Sequence, residues 1–110
     1  MKSFKKRVHE FLNLKTIAVA GISGKNGDNP GNHIFKKLKE SGYTVFAVNP
    51  SYKEIDGQPC YPDIFSTPSK VEGVVIVTNP NTTQQILREC VHCGVKYVWM
   101  HQLLIGLKRQ

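Results

Sequence analysis

The sequence predicts an α/β protein: a parallel sheet of about five strands, order 3-2-1-4-5, with helices on both faces. Three observations predict it. Short runs without strongly polar residues recur as TIAVA (Thr16–Ala20), TVFAV (Thr44–Val48) and GVVIVT (Gly73–Thr78), as expected for strands covered on both faces. Amphipathic stretches of helical period separate them. Such alternation makes a doubly wound sheet with right-handed crossovers. Finally, the first strand breaks at Gly21 into a polar loop with glycines at 21, 24, 27 and 31. A strand, a glycine-bearing loop and a helix N-terminus together present backbone N–H groups to a phosphorylated ligand.

In chain order, residues 2–12 read as a leading helix, with Phe4, Val8, Phe11 and Leu12 as its apolar face and a solvated basic face. Within the loop, Gly21 supplies positive φ or a close backbone approach. Ile22 follows it. Ser23 offers a hydroxyl and Lys25 a charge to a phosphate. Asn29 is placed to cap the next helix and Pro30 to begin it. Gly31, Asn32 and His33 lie in its first turn, against the ligand. Ile34, Phe35 and Leu38 face the sheet, Lys36, Lys37 and Lys39 face water, and Gly42 ends the helix. The loop matches neither G-x-G-x-x-G nor G-x-x-x-x-G-K-[ST].

The second strand ends in Val48, Asn49 and Pro50, with Lys53 close behind. A dinucleotide fold of the NAD type offers an acidic side chain there. A lysine suits a phosphorylated ribose, which favours NADP or coenzyme A over NAD. Asp56-Gly57 makes a turn and Gln58–Tyr61 a short third strand. The fourth strand, Gly73–Thr78, ends in a second Asn-Pro pair, Asn79-Pro80. Asn81 or Thr82 is expected to cap a helix that Gly94 stops. Tyr97–Met100 forms a fifth strand, followed by His101-Gln102. The remaining LLIGLKRQ reads as a final helical turn or a frayed end. The ends of the first, second, fourth and fifth strands should share one edge of the sheet, where ligands of such folds bind.

Composition narrows the function. A chain of 110 residues suits one domain spanning 1–110, with residues 1–14 as leader and 103–110 as tail. The sequence has neither an apolar run of membrane length nor a secretory signal, and its three cysteines make no disulfide framework. A cytoplasmic location is expected. The net charge of +7 gathers at the ends, in Lys2, Lys5, Lys6, Arg7 and Lys15 and in Lys108 and Arg109, while residues 16–107 carry eight basic and seven acidic residues. That placement, without interleaved aromatics, argues against nucleic acid. Cys90-Val91-His92-Cys93 forms a C-x-x-C at a helix C-terminus, where the dipole opposes a thiolate, and no second pair has zinc-ligand spacing. The cysteines read as structural. His33 and His101 have no evident acidic partner in the sequence, and no nucleophile–base pair is legible.

Gly21-x-Ser23, VNP at 48–50 with Lys53, TNP at 78–80 and WMHQ at 99–102 resemble the coenzyme A-binding domain family. Its members are three-layer Rossmann-like proteins similar to the N-terminal domain of the succinyl-CoA synthetase α subunit. The resemblance covers about residues 15–102. It implies coenzyme A or an acyl-CoA as ligand, and the lack of a legible nucleophile–base pair favours binding without catalysis. Under it, the loop after the first strand holds the pyrophosphate and Lys53 lies near the adenine and ribose phosphate. Asn79 and Pro80 line the pantetheine side, and Thr78, Thr82 and Met100 are expected among the ligand-binding residues. The alternatives weighed are an NADP- or NAD-binding redox sensor and a basic nucleic-acid-associated domain. Family members continue after WMHQ with a glycine-rich turn, a helix and a last strand, so 103–110 is an atypical, short tail. Leu103, Leu104, Ile105 and Leu107 are too apolar to hang free. They are expected to fold back over the fifth strand or to bury against a second copy in a homodimer.

Overall fold

The computed structural model describes residues 3–25, 28–100 and 103–107. Its elements are α1 (Phe4–Leu12), β1 (Thr16–Ala20), α2 (Pro30–Glu40), β2 (Thr44–Val48), β3 (Glu54–Ile55), β4 (Gln58–Tyr61), β5 (Gly73–Ile76), α3 (Pro80–Cys93), β6 (Tyr97–Met100) and β7 (Leu103–Gly106). One sheet runs β3-β4-β2-β1-β5-β6-β7.

The five inner strands are parallel, and their order is the expected 3-2-1-4-5. β1 lies at the centre, paired with β2 from Thr16↔Thr44 to Ala20↔Val48 and with β5 from Ile17↔Gly73 to Ala20↔Ile76. Ile17, Ala18, Val19 and Ala20 are wholly buried, which is why that run carries no polar side chain.

The strand count corrects the sequence reading: the described residues form seven strands, where about five were expected. Both additions are antiparallel and lie at the edges. β3 pairs with β4 through Glu54↔Pro59 and Ile55↔Gln58. The turn between them places both Asp56 (φ 51) and Gly57 (φ 78) at positive φ, the combination that closes a two-residue hairpin. β7 pairs with β6 from Tyr97↔Gly106 to Met100↔Leu103. The apolar tail thus lies beside the fifth strand as a seventh strand; it is neither a helical turn nor a frayed end. Leu104 is buried opposite Trp99.

The helix ends follow local chemistry. Ser3 caps α1, so that helix begins at Phe4 instead of residue 2. Asn29 caps α2 with Pro30 at its start, and α2 ends at Glu40, two residues before Gly42. Gly94 closes α3 at φ 73. The cap of α3 is a second correction: it is Asn79, whose Oδ1 accepts from Thr82 N at 3.0 Å, and not Asn81 or Thr82. Pro80 is then the first helical residue, where its missing N–H costs nothing. The ladder of the fourth strand correspondingly ends at Ile76, short of Thr78.

Two apolar layers result. Ala18, Ala20, Val74, Ile76 and Val98 pack with Ile86 and Cys90 of α3. On the opposite face Ile17, Val19, Val75 and Leu104 pack with Phe11 of α1 and with Ile34, Phe35 and Leu38 of α2.

Candidate functional site

The chain turns out of β1 at Gly21, whose φ is 111°. A Cβ there would stand 2.5 Å from the carbonyl oxygen of Val77, and one at Gly31 would stand 2.8 Å from the carbonyl oxygen of Gly21. Backbone meets backbone at both points, so only glycine fits. This close approach brings the start of α2 against the ends of β1 and β5.

The loop is then clasped from two sides. Asn32 brackets Ser23: its Oδ1 accepts from Ser23 N and its Nδ2 donates to Ser23 O, each at 2.8 Å. The Ser23 hydroxyl accepts from Lys25 N at 3.1 Å. From the other side Asn49 Nδ2 donates to Ile22 O at 2.6 Å, while Asn49 Oδ1 accepts from Ser51 N at 2.8 Å. The Tyr52 ring stacks over Gly24, where a Cβ would come within 2.6 Å of it. The segment after β2 therefore shapes the loop after β1.

Beyond these clasps lies a cleft of about 330 Å³ at the carboxyl edge of the sheet. Gly21 lines it from β1, Val48, Asn49, Pro50 and Ser51 from β2, and Thr78 and Asn79 from β5. Its far wall is α3, through Thr82, Gln85, Ile86 and Glu89. Those four share one helical face by their spacing of three, four and seven. Glu89 is 7% exposed. Its Oε1 accepts from Ile64 N at 3.1 Å and its Oε2 from Gln85 Nε2 at 3.2 Å. The carboxylate so ties the segment after β4 to α3. Thr78 and Thr83 share a hydroxyl–hydroxyl bond of 2.7 Å at the mouth of the helix.

Of the residues expected at the site, Gly21, Val48, Asn49, Pro50, Thr78, Asn79 and Thr82 line this cleft. Ile22, Asn32 and His33 line a separate cleft of about 490 Å³ on the α2 side, with Lys36, Lys39 and Asp56. Lys25 and Lys53 are exposed and line neither cleft. Asn29 and Gly31 form the start of α2, Pro80 that of α3, and Met100 is half-buried against the α3-side core. His33 corrects the sequence reading, since its Nε2 lies 3.8 Å from Asp28 Oδ1. His101 and Gln102 lie outside the described residues. Ser51, Pro62, Gln85, Ile86 and Glu89 also line the cleft and were not expected from the sequence; the helical spacing from Thr82 to Glu89 was the available signal.

The thiols are poor nucleophiles. Burial, with the Glu89 charge behind it, pushes Cys90 up to about 12. Burial also raises Cys60 and Cys93. Among the described residues no cluster of His, Cys, Asp and Glu is arranged to hold a metal. No described helix is long and apolar enough to cross a membrane.

An open parallel sheet with its cleft at the carboxyl ends of strands where the order reverses defines the Rossmann-like class. Within that class the chain belongs to the CoA binding domain family, whose model matches residues 15–104. It is 41% identical over 76 residues to ADP-forming acetate–CoA ligase I of Archaeoglobus fulgidus, covering 69% of this chain and 11% of that protein. Similarity to the α subunit of ADP-forming acetate–CoA ligase II of Pyrococcus furiosus is 36% over 89 residues, covering 80% of this chain and 19% of that one. Among solved structures, a hypothetical protein from Pyrococcus horikoshii superposes with a TM-score of 0.80 at 33% identity, covering 89% of this chain and 68% of that one. The chain spans between 11% and 20% of the length of the curated relatives it matches.

Proposed function

We propose that this chain binds coenzyme A, or an acyl-CoA, in the cleft at the carboxyl edge, and that it does so without catalysing a reaction. One observation carries the reading. In a chain that matches the CoA binding domain family over residues 15–104, the ends of β1, β2 and β5 converge on one cleft. The ligand's phosphates lie toward Gly21 and the loop through Ser23 and Lys25. Its pantetheine runs along Thr78, Asn79 and Thr82 toward Gln85 and Glu89. Lys53, exposed on the segment that clasps the loop, would swing onto the adenosine 3′-phosphate. The raised thiols and the structural use of Glu89 support binding over chemistry.

Thermal-shift titration tests this. Coenzyme A should raise the melting temperature, and NADH and NADPH should not. Lys53→Ala should weaken coenzyme A by about tenfold or more, the worth of a charge-assisted phosphate contact, and leave dephospho-CoA nearly unaffected. A shift with NADH and none with coenzyme A would overturn the assignment.

A further inference from the structure

The α3 face of the sheet and the opposite face are covered differently. α3 spans β5 and β6 on its side. On the other side α2 lies over β1 and β2, and α1 lies toward β6 and β7, where Phe11 and Phe4 meet Trp99 edge-on at 5.3 and 6.4 Å between ring centroids. Among the described residues no third helix fills the space between them. An apolar groove of about 380 Å³ remains there. Its walls are Phe11 and Leu12 of α1 and Ile34 and Leu38 of α2, and its floor is Val75, Val77 and Trp99. Leu12 and Phe4 are 51% and 48% exposed, extending the apolar surface onto the rim of α1.

The rim is basic. Lys5 precedes Leu12 by seven residues and so shares its side of α1, and Lys37 follows Ile34 by three on α2. Lys6 and His9 on α1 and Lys36 on α2 are exposed behind them. The one acidic residue of α1, Glu10, is turned the other way to bond the Tyr97 hydroxyl. On α2, Glu40 stands in the last turn among Lys36, Lys37 and Lys39. Two copies packed through this face would set lysines against lysines. An occupant with apolar side chains at helical spacing and carboxylates beside them matches both the floor and the rim.

We propose that the groove docks an acidic amphipathic helix of a partner protein, its apolar side chains between α1 and α2 and its carboxylates against Lys5 and Lys37. The site is separate from the carboxyl-edge cleft, so its occupation leaves the ligand reading untouched.

Trp99 is the only tryptophan of the chain and lies in the groove floor, so its emission reports directly. The full chain would be titrated with a stapled two-heptad helix carrying Leu at i, i+3 and i+7 and Glu elsewhere, and with a twin carrying Lys in place of Glu. The Glu peptide should give a saturable change in Trp99 emission, and the Lys peptide should bind about tenfold more weakly or worse. The Lys5→Glu/Lys37→Glu variant should reverse that preference, and Leu12→Ser should weaken the Glu peptide. Both variants alter exposed positions, so the thermal shift with coenzyme A should match that of the parent and serve as the control for folding. Equal binding of both peptides, or binding of neither, would overturn the proposal. So would an emission change that follows protein concentration without peptide, which would make a second copy the occupant.

Discussion

The chain uses the dipeptide Asn-Pro twice on the same edge of the sheet, and the two copies do different work. Asn49, after β2, reaches across 27 positions of sequence to the carbonyl of Ile22 and folds back onto Ser51 N. Its amide uses both ends, one as donor and one as acceptor. Asn79, after β5, uses its oxygen to cap α3 at Thr82 N, with Pro80 opening the helix. The first is a tertiary clasp on the loop beside the cleft at the carboxyl edge. The second is a local helix start. Identical side chains at equivalent strand ends are thus separated by what the neighbouring backbone offers: a carbonyl from the next loop in one case, an N–H three residues ahead in the other.

Substitutions can break this pair in graded order. Asn49→Asp should be the most damaging, at about 3 kcal/mol, because it strips the donor from Ile22 O and sets a carboxylate beside that carbonyl. Denaturant unfolding measures it. Asn49→Ala should follow at about 2 kcal/mol, the loss of two hydrogen bonds in a partly buried position, and should weaken coenzyme A because the loop at 21–25 loses its clasp. Asn79→Ala should cost about 1 kcal/mol, the usual worth of a cap. Asn79→Asp should cost nothing or stabilise by a few tenths of a kcal/mol, since an aspartate caps as well and its charge suits the helix N-terminus. Equal effects from the two Asp variants would show that both asparagines serve only as local acceptors, and the distinction drawn between them would fall.

A similar divide separates the thiols from the histidines. The C-x-x-C at 90–93 was legible as inert, since a helix C-terminus withholds the dipole that would lower a thiol, and burial takes Cys90 further, to about 12. His33 was not legible in that way. Its neighbour Asp28 lies five residues back across a cap and a proline, and only the turn into α2 brings them to 3.8 Å.

What the sequence by itself determined is whatever a few consecutive residues decide. Five parallel strands, the capping of α2 by Asn29 and the αL stop at Gly94 all depend on periodicity, β-branching and hydrogen bonds of short sequence span. Tertiary structure decided the rest. The edge strands β3 and β7 are antiparallel additions, and pairing to a neighbour holds them where local propensity would not. The fit of Gly21 and Gly31 depends on how closely Val77 and the loop approach, and Gly24 is pinned by a ring from the segment after β2. The wall from Thr82 to Glu89 came to line the cleft only once α3 lay across the strand ends. Contacts between distant segments leave no local pattern, because their energy is gained only after the sheet has brought those segments together.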